Sequence, residues 1–315
     1  MRVVFFGTPA FAVPSLEALL EAGESVALVV TRPDRPVGRH ATPVPSPVAA
    51  AAASRGLPVA RPDRLRGNRE LLDEIARIGP DVGIVVAYGR LLPRELLDIP
   101  RRGFVNVHGS LLPRWRGASP VSAAILAGDS ETGVVTMRVE PELDSGPVYL
   151  RRRVAIGAAE NAETLGRRLA VEGASLLVET LRGLDRGTLR PTPQAGDVTF
   201  TRPLKREDGE ADWDLPAGEL ERRLRAYTPW PGLFSFSNGI RVKILEARLG
   251  PPLAAEPGEL RIAGGQALVG AGRGTSLEIL RAQREGRPPV TGLELARALP
   301  PGSRLGVRQS PAASE

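Results

Sequence analysis

The chain has 315 residues, 42% of them hydrophobic and 25% charged, and it contains no cysteine. That length exceeds the usual span of one hydrophobic core, so two domains are expected, and the missing thiols exclude disulfides, thiolate metal sites and cysteine nucleophiles. The net charge of +6 comes from 42 basic residues, of which only Lys205 and Lys243 are lysines; so modest a field can steer an anionic partner without identifying one.

In chain order, residues 3–6 form a short apolar run followed by the tight Gly7-Thr-Pro turn, and the spacing predicts a helix over 14–22. A second apolar strand, 26–30, ends in a turn-rich stretch at 32–47. Helices are predicted over the Ala-rich 47–55 and over 68–78, whose apolar residues recur at helical spacing. Residues 82–87 are apolar almost throughout, as expected of a strand buried on both faces of a parallel sheet. Strands at 104–108 and 134–139 follow, with an Ala-rich helix at 119–127 between them, and a long amphipathic helix at 164–184 closes this half. Alternating strands and helices predict an α/β, Rossmann-like, doubly wound and mainly parallel sheet.

The texture then changes. Residues 188–203 are rich in Pro, Gly and Thr and read as a connector. Beyond a helix at 217–226, short strands at 233–237, 241–247, 258–262, 267–270 and 276–282 alternate with turns, which predicts a smaller β-barrel or sandwich. The expected domains are 1–188, a linker at 189–206, and 207–315. No run approaches the ~20 apolar residues of a membrane span, and residues 3–6 are too short for the core of a secretory signal, so cytoplasm is the expected location.

Ligands of open parallel sheets bind beyond the carboxyl ends of the strands. In the strand Phe104-Val-Asn-Val-His108, alternation puts Asn106 and His108 on one face and the valines on the other. A hydrogen-bonded structural pair would satisfy the same pattern. Asp144, in Glu140-Pro-Glu-Leu-Asp-Ser-Gly146, follows the next strand. It reads either as an Asx-type turn residue or as a carboxylate brought to His108 by neighbouring strand ends. Together the three could polarise a carbonyl, hold a tetrahedral oxyanion and relay a proton, the chemistry of acyl transfer without a covalent nucleophile.

Competing sites find little support. Ser110 lacks the G-x-S-x-G elbow of a hydrolase, and His40 and His108, the only histidines, are too far apart in sequence to suggest a zinc site. Glu140, Glu142 and Asp144 alternate but read as a solvated acidic loop rather than a cation site. Gly7-Thr-Pro is neither a dinucleotide fingerprint nor a P-loop. Arg222, Arg223 and Arg225 form a basic stripe compatible with a solvated helix face or with RNA.

The N-terminal Val-Val-Phe-Phe-Gly-Thr-Pro-Ala-Phe, the Ala87-Tyr-Gly segment, Asn-Val-His-Gly-Ser-Leu-Leu-Pro-Arg-Trp-Arg-Gly-Ala-Ser-Pro and the Leu-Asp-Ser-Gly turn together resemble the folate-dependent formyltransferase superfamily. The resemblance covers nearly the whole chain. It implies a catalytic triad of Asn106, His108 and Asp144. It also implies a site for 10-formyltetrahydrofolate, used as co-substrate without a metal, lined by Ser110, Leu111, Leu112, Pro113, Tyr88 and Gly89.

Two further segments are similar to the branch that formylates methionyl-initiator tRNA. Thr31-Arg-Pro-Asp-Arg-Pro-Val-Gly-Arg39 resembles its inserted acceptor-stem loop. Ala211-Asp-Trp213 and Arg225-Ala-Tyr-Thr-Pro-Trp-Pro-Gly232 resemble its C-terminal OB-like, tRNA-binding domain. The resemblance implies tRNA contacts from Arg32, Arg35, Arg39, Lys205 and Arg206, and a monomer with no obligate protein partner. Where that branch commonly carries lysines after Arg39, this chain has His40-Ala-Thr. Two alternatives stay open: formylation of an amino-sugar nucleotide, and a non-catalytic tRNA-binding protein on the same scaffold.

Overall fold

The computed structural model describes residues 1–36, 43–300 and 302–306. The chain divides into two units. One comprises Met1–Val121, Ser130–Ile156 and Leu165–Arg202; the other comprises Ser122–Asp129, Gly157–Thr164 and Pro203–Glu315.

The chain opens with β1 (Arg2–Gly7), α1 (Val13–Glu21) and β2 (Ser25–Val30), then a two-stranded ribbon of β3 (Arg35–Pro36) and β4 (Pro43–Val44). It continues through α2 (Pro47–Ser54), β5 (Val59–Ala60), α3 (Arg69–Ile78), β6 (Val82–Val86), α4 (Arg94–Leu97) and β7 (Phe104–His108). Next come β8 (Arg116–Gly117), α5 (Pro120–Ala127), β9 (Glu131–Arg138), β10 (Val148–Ala155), α6 (Ala162–Asp185) and β11 (Phe200–Thr201).

Seven strands form the sheet of the first unit in the order β10-β9-β7-β6-β1-β2-β5. Pairings from β7 through β5 are parallel, while β7–β9 and β9–β10 are antiparallel. The expected mainly parallel, helix-flanked sheet is thus present, with an antiparallel margin. All five residues of β6 are buried, as its continuous apolar run requires. Phe6 meets Tyr88 and Phe104 edge-to-face at 5.3 and 5.5 Å, an arrangement the ring quadrupoles favour. Local caps match local sequence: the Asn68 side chain accepts from the Leu71 N–H at the start of α3, and Ser46 does the same for Ala49 at α2.

Strand β10 is the element that the sequence pattern misses. Its run Val-Tyr-Leu-Arg-Arg-Arg-Val-Ala lacks the apolar alternation of a half-buried strand. The reason is its position, since an edge strand tolerates charge, and arginines there discourage pairing with another chain.

In the second unit, α7 (Ala217–Ala226) precedes β12 (Leu233–Ser237), β13 (Ile240–Leu249), β14 (Leu260–Ala263), β15 (Gln266–Ala271), β16 (Thr275–Arg284), β17 (Val290–Thr291) and α8 (Gly292–Ala298). The sheet is antiparallel throughout, in the order β12-β13-β16-β15-β14 with β17 on β16. Register shifts between Ile244 and Ala247 bend β13, the curvature a barrel-like sheet needs. Trp213, Leu220, Leu233, Val242, Val269, Leu277 and Leu295 fill its core. The late pair β17–α8 is not legible in the pattern; Thr291 and Glu294 form the capping box that starts α8.

Candidate active site

Cross-strand register fixes which residues share the working face of the first sheet. Asn106 stands opposite Met137 and His108 opposite Val135; on the next strand Arg151 stands opposite Val135 and Arg153 opposite Gly133. Directly opposed residues point the same way, so Asn106, His108, Arg151 and Arg153 belong to one face. The valines of β7 lie on the other face, as alternation requires.

Along β7, Asn106 is half-buried, while His108 is only 6% exposed. The imidazole is held from both sides. Its Nε2 lies 3.0 Å from the carbonyl oxygen of Trp115; a carbonyl only accepts, so Nε2 carries a proton. Its Nδ1 faces Asp144 Oδ2 at 3.6 Å. That distance is ionic but too long for a direct hydrogen bond. Nδ1 is therefore the ring nitrogen still available to a third group, and an oxygen or a water can bridge it to the carboxylate.

Asp144 has its own supports. Oδ2 accepts from the Gly117 N–H at 2.8 Å, and the backbone is in the left-handed region at φ 48°. Gln194 Nε2 donates to the carbonyls of Asp144 at 2.7 Å and Gly146 at 2.8 Å. Arg116 in turn donates to Gln194 Oε1 from Nη2 at 2.7 Å. Thr199 Oγ1 accepts from the Trp115 N–H and Thr201 Oγ1 from the Ser119 N–H, and β11 pairs with β8. The segment read as a connector thus clamps the loop that holds His108 and Asp144. Gln194, Thr199 and Thr201 had no sequence signal, because they sit 48 to 85 residues from their partners.

The expected donor-site residues separate into different environments. Ser110 is fully buried and donates its hydroxyl to the Arg114 carbonyl at 2.6 Å, closing its own loop. Leu111 lies over Gly133, and Leu112 packs with Val135, Met137 and Val148. A cavity of about 340 Å³ runs along Leu111, Leu112, Pro113 and Arg114, bounded by Arg151, Arg153 and Ala195, Gly196 and Asp197. Neither Asn106, His108 nor Asp144 lines it, so the cavity and the polar cluster are separate features. Tyr88 is 1% exposed in the core beside Phe6 and Phe104, and burial raises its phenol pKa, whereas Gly89 is exposed.

Of the basic residues expected at RNA, Arg32 lies against Gly89, and β3 carries Arg35. Arg39 and His40 lie outside the described residues. Lys205 and Arg206 begin a short 3-10 turn in the second unit and are exposed. The stripe on α7 is partly spoken for: Arg222 donates to the Leu126 carbonyl, and Arg225 pairs with Glu221 at 2.6 Å. Among the described residues no cluster of three or more His, Asp or Glu is placed to hold a metal, and no helix is long and apolar enough to cross a membrane.

Comparison with known proteins matches residues 1–181 to the formyl transferase family and residues 203–300 to the formyl transferase C-terminal domain. The chain is 45% identical over 304 residues to a methionyl-tRNA formyltransferase of Anaeromyxobacter dehalogenans, covering 95% of this chain and 97% of that one. It is 46% identical over 309 residues to a methionyl-tRNA formyltransferase of Thermus thermophilus, covering 97% and 99%. Among solved structures it is similar to the N-formyltransferase from Helicobacter canadensis in complex with folinic acid and dTDP-3-aminofucose. That match has a TM-score of 0.65 and 16% identity, covers 90% of this chain and 99% of that one, and concerns the fold alone.

Proposed function

The chain belongs to the formyl transferase family, and we propose that it transfers the formyl group of 10-formyltetrahydrofolate to the free amine of methionyl-initiator tRNA, giving N-formylmethionyl-tRNA for translation initiation. The near-full-length similarity to methionyl-tRNA formyltransferases, through both halves of the chain, carries the choice of substrate.

In the reaction the unprotonated amine attacks the formyl carbon. A carbon–nitrogen bond forms, a tetrahedral oxyanion develops, and the bond to N10 of the folate then breaks. The Asn106 amide and, when both ring nitrogens carry a proton, His108 Nδ1 lie on one face and are the donors for that oxyanion. Asp144, held by Gly117 and Gln194, keeps a negative charge beside the ring. Through a bridging water it passes the amine's proton toward N10. The backbone at Tyr88 and Gly89 and the loop from Ser110 to Pro113 line the donor's site.

The division of labour follows the same reading: catalysis in 1–188, a connector at 189–206 that also braces the site, and RNA binding in 207–315. Arg32, Arg35, Arg39, Lys205 and Arg206 contact the tRNA, and a single chain suffices, acting in the cytoplasm. The test is a competition assay with labelled formyl donor, methionyl-tRNA and a 3-amino-sugar nucleotide. Label is expected on the aminoacyl-tRNA; label on the sugar would establish the alternative acceptor, and RNA binding without transfer would establish a non-catalytic binder.

A further inference from the structure

Asp144 is tied down at its side chain and again at its main chain. Oδ2 accepts from the Gly117 N–H at 2.8 Å, while the main-chain carbonyl accepts from Gln194 Nε2 at 2.7 Å. The same amide nitrogen donates to the Gly146 carbonyl at 2.8 Å. Gln194 Oε1 accepts in turn from Arg116, from Nη2 at 2.7 Å and from Nε at 3.2 Å. Arg116 and Gly117 are consecutive, so these bonds close a ring that runs from Arg116 through Gln194 and Asp144 to Gly117.

The Gln194 amide is fully used, and its orientation is dictated. The nitrogen gives its two hydrogens to two carbonyls, and the oxygen takes the guanidinium. A charged donor on the oxygen polarises the amide and strengthens the bonds its N–H groups make. Asp144 needs such a hold. Its φ of 48° lies in the left-handed region that few non-glycine residues occupy, and a conformation of that kind persists only where its surroundings over-determine it.

The segment that carries Gln194 is fastened on both sides by other bonds. Before it, Thr192 exchanges two main-chain bonds of 2.8 Å with Val148. After it, the Arg116 N–H donates to the Thr199 carbonyl at 2.9 Å, and the Trp115 N–H to Thr199 Oγ1 at 2.8 Å. Loss of the amide therefore leaves the segment anchored and releases only the turn at Asp144.

We propose that Gln194, oriented by Arg116, is a positioning residue of the transfer reaction. It fixes the backbone of Asp144 and so the 3.6 Å separation of the carboxylate from His108 Nδ1. The proposal rests on the catalytic reading of Asp144 above and adds the side chains that set its place.

The test is steady-state kinetics of the full chain with 10-formyltetrahydrofolate and methionyl-tRNA, across pH, for Gln194→Ala, Gln194→Glu, Arg116→Lys, Arg116→Met and the double variant Arg116→Met/Gln194→Ala. Gln194→Ala should lower kcat roughly 10- to 100-fold and leave both KM values within about twofold, the signature of a catalytic group displaced by ~1 Å. Gln194→Glu is nearly isosteric and still accepts from Arg116, but it turns an oxygen on two carbonyls, so kcat at neutral pH should fall at least as far. Protonation returns one donor, and Arg116 favours the ionised form; kcat relative to the parent should therefore climb as pH falls into mild acid. A packing defect has no such pH dependence. Arg116→Lys should keep more of kcat than Arg116→Met, and the double variant should be no more than about twofold slower than the slower single, since both residues serve one contact. Losses that multiply would overturn the ring. Gln194 variants that match the parent, that raise KM instead of lowering kcat, or whose loss is constant with pH would overturn the positioning role. If Asp144→Asn is also as active as the parent, the catalytic reading falls too; if Asp144→Asn is slow while the Gln194 variants are not, only the positioning falls.

Discussion

His108 is held in a fixed orientation, with Nε2 committed to the Trp115 carbonyl and Nδ1 turned toward Asp144 across a 3.6 Å gap. Under the proposed mechanism, removing the ring should remove both oxyanion stabilisation and the proton route. His108→Ala is expected to lower kcat/KM by roughly 10²- to 10⁴-fold; turnover near that of the parent would end the assignment. Asp144→Asn keeps the shape and the bond from Gly117 while deleting the charge beside the imidazole, so single-turnover rates should fall while donor binding changes little. A carboxylate remote from the site reports on acid stability. The Arg2 N–H at 2.7 Å, aided by Arg101, holds the Asp81 carboxyl below its ordinary 3.8. A lowered folded pKa stabilises above the unfolded value, and that stability is lost as pH falls through the folded one. Asp81→Asn should therefore lower the urea midpoint at neutral pH, with the gap closing in strong acid; a gap independent of pH would contradict this.

The loop from Gly109 to Gly117 is where elements meet, and its accuracy depends on close approach. Gly117 has φ 113°, and a Cβ there would collide with the Thr201 carbonyl. Gly117→Ala should break the β8–β11 pairing and move the N–H that holds Asp144, reducing kcat well before it reduces thermal stability; an equal loss of both would mark the glycine as merely structural. Gly133 plays a related part from the sheet, since a Cβ there would collide with the Arg152 carbonyl and with Leu111. A raised donor KM is the expected signature of Gly133→Ala. The helical and strand boundaries were largely legible from local pattern, down to Phe104–His108 and Ala217–Ala226. Strand β10 was not, because an edge strand needs no apolar alternation, and the brace from Gln194, Thr199 and Thr201 was not, because Gly- and Pro-rich sequence carries no period to read.

Across the whole molecule, 42 basic residues against 36 acidic ones leave a net charge of +6, small for a nucleic-acid binder. Affinity for tRNA must then come from the placement of arginines rather than from their sum. On this reading kcat/KM for methionyl-tRNA should fall linearly on a log–log salt plot, while an uncharged amine acceptor tested at high concentration should show no such slope. A flat response for both would mean that phosphate contacts contribute little.

The amino-acid sequence by itself determined the two-part organisation, the mainly parallel sheet and the shared face of Asn106 and His108, because periodicity and strand alternation are local properties. It also carried the motifs that resemble formyltransferases. Only the tertiary structure decided which imidazole nitrogen faces Asp144, that Gln194 and the two threonines brace the loop around it, and that Arg241 lies over Phe234. Each of these rests on contact between separate segments, and such contact is set by how the elements pack, not by the spacing of residues within any one of them.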